Sequence, residues 1–232
     1  LAGLPPYLEL AVVSGMRDSL DRHLQVCSGR RQGWTDSQIV LALLLLQLAG
    51  GDCVGDLRML ERDEGFVRVL RRVELHGLPR AKRRSIERRW HKERRRAVPS
   101  PSAVSRYLAA FVNAEEEARR GMGHAFIPAA NAHLAGFSRV IQELLAFAQR
   151  RRPQAVATSD QDATLAETAK RGALYCYEGE KAYQPLTARW AEQGMIVRSP
   201  FRDGNVPAGF EQLRELQESL AMLPVGVVKA LL

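Results

Sequence analysis

Residues 154–165 read QAVATSDQDATL. Small and β-branched side chains lead up to two carboxylates, Asp160 and Asp162, two positions apart. Such composition predicts a strand, and alternate residues of a strand share a face. Asp160, Asp162 and Thr164 therefore lie together, with Val156 and Thr158 before them. Two like charges on one strand face repel unless water or a cation offsets them. The residues alone leave two explanations open. The pair ends a strand at the surface, or it holds a hard divalent ion such as Mg2+, which prefers carboxylate oxygen.

The chain after this stretch keeps the same grammar. ALYCYEGEKAYQ (173–184) alternates around Glu178-Gly179 and predicts a second extended element with a hairpin turn. MIVRSPF (195–201) predicts a third strand, and DGN (203–205) a turn. Pro207 then stands near the start of a helix whose apolar face is Phe210, Leu213, Leu216, Leu220 and Leu223. Pro224 ends it, and VGVVKALL (225–232) begins another strand. The first three strands have short links, so they are expected as antiparallel neighbours. The helix crosses over to a fourth strand beside the first. This order is the opening half of a ribonuclease-H-like fold.

Before Pro153 the pattern is helical. Leu8 to Val26 carries apolar residues at helical spacing. In TDSQIVLALLLLQLAGG, Thr35 and Gln38 make a capping box, and Gly50-Gly51 stops a helix that is apolar on nearly every side. Asp52 is placed to cap a short helix holding Leu57 and Leu60, and Glu64–Val73 continues in the same style. Another helix starts near Ser100–Ser102. Gly121-Met122-Gly123 breaks the pattern, and a long helix follows with Leu134, Phe137, Ile141, Leu144, Leu145 and Ala148 on one face. The expected class is α+β. A helical region (1–125) and a connecting helix (126–152) precede an incomplete ribonuclease-H-like domain (153–232).

The 232 residues carry a formal net charge of +8, and 46% are hydrophobic, so a packed core is expected. Residues 80–96, RAKRRSIERRWHKERRR, hold 10 Lys/Arg against Glu87 and Glu93, which equals the +8 excess of the whole chain. The remainder is neutral on balance. A basic segment of this density favours a polyanionic partner, nucleic acid before membrane. The candidate phosphate contacts are Arg83, Arg84, Arg88, Arg89, Lys92, Arg95 and Arg96, with Trp90 among them. A helix that is merely solvated would interleave more acids. Helix–short turn–helix packing around a small core suits such a module, although no specific signature is present.

Other residue types narrow the chemistry. The 3 cysteines are far apart and match no zinc spacing, which fits reduced thiols. The histidines show no ligand spacing, and neither a Ser–His–Asp set nor a nucleotide-binding glycine loop is present. No secretory signal opens the sequence, and the most apolar run, Ile39 to Ala49, is shorter than the ~20 residues that span a bilayer. A soluble cytoplasmic, nucleoid-associated protein is the expectation. Leu1 at the start and VVKALL at the end both read as cut. Tyr175, Tyr177 and Tyr183 alternate around the hairpin and are expected to pack across strands, with stacking on an unpaired base as the alternative.

DQDATLAETAKRGALYCYEGEKAYQPL (160–186) and FRDGNVPAGFEQL (201–213) resemble the DDE transposases of bacterial insertion sequences. The closer likeness is to the branch with a D-x-D-x-T strand, a Y-x-G-x-x-x-Y-x-P-L hairpin and an F-R-D-G-N-V-P-A turn. AGGDCVGDLRMLERDEGF (49–66) resembles that branch's helical N-terminal region. The likeness covers most of 35–232, strongly over 158–213 and weakly over 80–125. It implies a DNA transposase, here a fragment, that binds the ends of an insertion element as a homodimer. Two Mg2+ (or Mn2+) ions, held by Asp, Asp and Glu, would serve phosphodiester cleavage and then strand transfer into target DNA. The first acid matches Asp162, with Asp160 as its neighbour or the true ligand. The second belongs just after the strand that begins at Val227, and the third lies further on. Neither later acid is in this sequence, so the resemblance implies a chain that is inactive alone, or a truncated regulator that only binds DNA. Within the matched motifs Arg202 and Lys181 are further candidate DNA contacts. Gly204 is expected at positive φ and Asn205 as a helix cap.

Overall fold

The computed structural model describes residues 1–27, 33–81, 83–84, 86–87, 96–121 and 123–231. The chain divides into two compact units, Leu1–Val112 and Asn113–Leu232. The division falls earlier than residue 125, and the helix expected as a connector belongs to the second unit.

The first unit is helical: α1 (Pro5–Val13), α2 (Met16–His23), α3 (Asp36–Leu48), α4 (Leu57–Arg62), α5 (Glu64–Leu75) and α6 (Pro101–Leu108). The run expected from Leu8 to Val26 is two helices, because the chain turns at Ser14-Gly15. The capping box forms as the sequence predicts. Thr35 accepts from the Gln38 amide, and the Gln38 side chain returns to the Thr35 N–H. Asp56, not Asp52, caps the next turn, accepting from the amides of Asp52 and Cys53 at 3.1 and 3.0 Å. Leu8, Leu45, Leu57, Leu60, Phe66 and Val104 form the heart of the core. A buried leucine of this kind contributes about 1.5–3 kcal/mol, so the core rather than helix propensity holds these short helices.

The second unit is a mixed α+β assembly. α7 (Ala114–Glu117) and α8 (Ala132–Arg151) precede β1 (Val156–Ala163), β2 (Ala166–Glu167), β3 (Leu174–Tyr175), β4 (Lys181–Tyr183), β5 (Leu186–Trp190) and β6 (Met195–Arg198). α9 (Gln212–Met222) and β7 (Val228–Leu231) follow. The main sheet has the order β6-β5-β1-β7. β1 pairs antiparallel with β5 and parallel with β7, and β5 pairs antiparallel with β6.

One strand differs from expectation. The hairpin 173–184 forms a separate three-stranded sheet, β2-β4-β3. The strand beside β1 is LTARW, 186–190, immediately after Pro185. Its leucine, alanine and tryptophan all point inward, with Trp190 fully buried. That period-two alternation was present in the sequence.

α8 and α9 cover one face of the main sheet, where Leu145 and Met222 pack with Ala157, Trp190 and Val197. The apolar face of α9 is rotated from the expected one. Leu213 is exposed, while Glu215, Ser219 and Met222 turn inward. The reason is electrostatic. A register shift between Ala188 and Arg189 brings Arg198 opposite Ala188, whose side is buried. There Arg198 Nε donates to the buried Glu215 carboxylate at 2.9 Å.

Residues 201–206 join these parts. Gly204 does not have positive φ. It is required for closeness instead, because a Cβ there would lie 2.6 Å from the Ala182 carbonyl oxygen and 2.8 Å from that of Leu174. Asn205 caps no helix. Its Nδ2 donates to the His124 carbonyl, and α9 starts only after Glu211. Gly204→Ala is expected to destabilise the protein by about 1–3 kcal/mol, the usual range for overpacking. Gly209→Ala, in open space, should stay near wild type. Urea unfolding midpoints of the two variants check this.

Candidate functional site

β1 carries the predicted carboxylates on the face opposite the helices. Ala157 and Ser159 are buried, whereas Asp160, Asp162 and Thr164 are exposed. In the antiparallel register Asp160 faces Arg189 and Asp162 faces Thr187. Thr164 Oγ1 donates to Asp162 Oδ2 at 3.3 Å, and Thr187 and Ser199 share a hydroxyl hydrogen bond of 2.9 Å. The result is an open, oxygen-rich strip over β1 and β5. β7 pairs with β1 only over Val156–Ser159. Asp160 and Asp162 lie past that stretch, flanked by β5 alone among the described residues.

At the other end of the strip Glu192 clasps β1. It accepts from the Thr158 hydroxyl and from the Thr158 amide, the latter at 2.9 Å. These donors, the hydroxyl first, hold its carboxyl below the ordinary value of 4.5. Sequence reasoning missed this residue, which follows a strand that was itself missed.

The fit to a metal ion is partial. Two carboxylates on one exposed face match the donor set Mg2+ takes. However, no group of three His, Cys, Asp or Glu residues that could hold a metal occurs among the described residues. Asp160 and Asp162 are thus a pair of carboxylates with no third such group clustered with them among the described residues.

The expected DNA contacts separate into distinct environments. Arg83 and Arg84 are exposed on helical backbone. Arg88, Arg89, Lys92 and Arg95 lie outside the described residues, as does Trp90. Arg96 pairs with Glu61 at 2.8 Å, and the same carboxylate accepts from the Ala97 amide. Lys181 Nζ donates to the Arg171 carbonyl at 3.1 Å and stands 5.7 Å from the centre of the Tyr175 ring.

Arg202 overturns its expected role. It is 0% exposed, so it does not reach phosphate. Its guanidinium donates to the carbonyls of Pro207, Ala208 and Phe210 at 2.8, 3.3 and 2.7 Å. Burial lowers its pKa, and the carboxylates of Glu215 and Glu211 oppose that shift. Next to it the buried Asp203 pairs with Arg120. The tyrosines also divide. Tyr183 packs on Phe201 with ring centres 4.9 Å apart, and Tyr175 lies across from Lys181 on the next strand, but Tyr177 is 78% exposed, against the expected cross-strand packing.

No family model, curated protein or solved structure matches the chain.

Arg202→Ala empties a fully buried side-chain position and removes the charged donors to three carbonyls, each such hydrogen bond contributing about 1.5–3 kcal/mol. Severe destabilisation or failure to fold is expected by thermal melting. For Glu192 the depressed folded pKa means a stabilising contribution present above about 4.5 and lost as pH falls through the folded value. Glu192→Gln should therefore flatten the acid limb of a stability-versus-pH curve measured with urea.

Proposed function

We propose that the chain is a DNA-binding portion of a DDE-type transposase. A helical DNA-contacting unit would precede the first half of a ribonuclease-H-like catalytic fold. The observation that carries this proposal is the strand order β6-β5-β1-β7, with β7 parallel to β1 and the acid pair on β1's open face. The parallel β7 beside β1 was anticipated, whereas β5 stands where the 173–184 hairpin was expected; Asp160 and Asp162 lie on β1, an inner strand of this sheet. Sequence likeness over 158–213 and the basic run at 80–96 support the same reading.

The roles rest on that placement. Asp162 and Asp160 would hold Mg2+ or Mn2+, which supplies activation of the attacking oxygen and offsets charge on the leaving one. The exposed strip leaves a phosphodiester free to approach, while Thr164 orients Asp162 through its hydroxyl. Arg83, Arg84 and their neighbours in the basic run would bind duplex phosphates. A homodimer on two element ends belongs to the same proposal.

A second reading is favoured by one observation: the acid pair has no third carboxylate among the described residues. On that reading this chain alone binds DNA without cutting it.

Gel shift and cleavage assays with duplex DNA carrying the element's ends, with and without Mg2+, test both. Binding is expected, with no strand cleavage by this chain alone. Absence of binding would overturn the proposal. Mg2+-dependent cleavage would remove the second reading, and cleavage surviving both Asp160→Asn and Asp162→Asn would show that the acids are misassigned.

A further inference from the structure

Net neutrality outside 80–96 conceals an arginine face. α5 turns Phe66, Leu70 and Glu74 into the core at intervals of four, and its opposite side carries Arg68 and Arg72 with the same spacing. Both are exposed. Of the helix's two acids, Glu74 is buried and accepts from Gln38 Nε2 at 3.0 Å, so its charge does not accompany the arginines at the surface. The other, Glu64, meets Arg68 only at 3.8 Å, with both side chains more than 80% exposed. Such a pair contributes little and yields readily to a stronger anion. Arg72 forms no ion pair among the described residues.

The chain beyond α5 gives this face a direction. The helix ends at Leu75, and a short turn follows at Gly77, whose φ of +73° suits glycine. Helical backbone resumes at Arg80, and the Arg83 amide donates to the Pro79 carbonyl at 3.0 Å. Two helical segments joined by a short turn, often with glycine, also build the helix–turn–helix modules that bind DNA. Arg80, Arg83 and Arg84 are exposed on the second segment. In this arrangement the first helix crosses the duplex backbone while the second enters the major groove.

We infer that Arg68 and Arg72 of α5 contact duplex DNA phosphates, extending the basic run back onto the preceding helix. The inference rests on the DNA-binding reading above but concerns residues that the charge run does not include. Phosphate contacts position a protein without reading sequence, so their loss should weaken binding to every duplex alike.

The test uses the full chain and a fluorescently labelled random-sequence DNA duplex, with affinity followed by anisotropy over a KCl series. Each phosphate contact contributes about 0.9 to the slope of log affinity against log salt. Arg68→Gln/Arg72→Gln should therefore lower the slope by about 1.8, and Arg68→Lys/Arg72→Lys should restore it. Circular dichroism melts confirm that these surface variants stay folded. An unchanged slope in the Gln pair, with a lowered slope in Arg83→Gln/Arg84→Gln, overturns the α5 contact and leaves the DNA-binding reading intact. A wild-type chain that binds no duplex at any salt overturns both.

Discussion

A guanidinium with no access to solvent must find its acceptors inside the fold. Arg202 finds them in the carbonyls of Pro207, Ala208 and Phe210, and the second unit is organised around that requirement. The three carbonyls bend residues 203–211 into the arc that carries the chain from β6 to α9. The Arg202 carbonyl accepts the Gln184 amide, and Asp203 bridges to Tyr183, so the same residues fasten the small sheet. Gly204 lies against the Ala182 and Leu174 carbonyls, where no side chain fits. The turn is a structural junction, and its charged residues are committed to the interior.

The same economy of charge governs α9. Glu215 is 1% exposed, which alone would be costly. Arg198 reaches it because a β-bulge turns that side chain under the sheet, and Arg214 adds a second contact at 3.3 Å. This explains why α9 presents a carboxylate and a serine inward while Leu213 remains in solvent. The buried ion pair outranks the hydrophobic stripe in setting the helix's rotation, because a broken buried pair costs about 3–5 kcal/mol, more than the about 1.5–3 kcal/mol from burying one leucine.

The cap of α3, the start of α6 and most element types were legible in the sequence because they depend on local chemistry, whereas Asp52 and Asn205 do not fill the cap positions expected of them. Thr35 and Gln38 need only each other, and Ser100 needs only the first turn of α6. β1 was legible from composition, and its place beside β7 from the crossover rule. Roles set by distant partners were not. The FRDGN turn looked like a surface feature because arginine, aspartate, glycine and asparagine are common in exposed turns. Its burial depends on Arg120, 83 positions away from Asp203, and on the backbone of β3 and β4. The Glu192 clasp likewise required knowing that 186–190 pairs with β1. The acid pair was placed correctly on one face, but nothing local reveals what lies across from it.

Net charge was similarly incomplete as a guide to surface charge. Counting residues assigns the whole excess to 80–96, yet a count treats buried Glu74 and exposed Arg72 as cancelling. They do not meet the same solvent. Glu74 is held in the core by Gln38, and Arg72 stands outside with no partner among the described residues. A phosphate can make direct contact with the exposed guanidinium but cannot reach the buried carboxylate, so the two do not offset each other at contact distance. The electrostatic footprint of the helical unit is therefore larger than its basic run, and it begins on a helix whose buried side belongs to the core. A contact there would be fixed by the packing of Phe66 and Leu70, so the unit's stability and its grip on DNA would depend on the same helix.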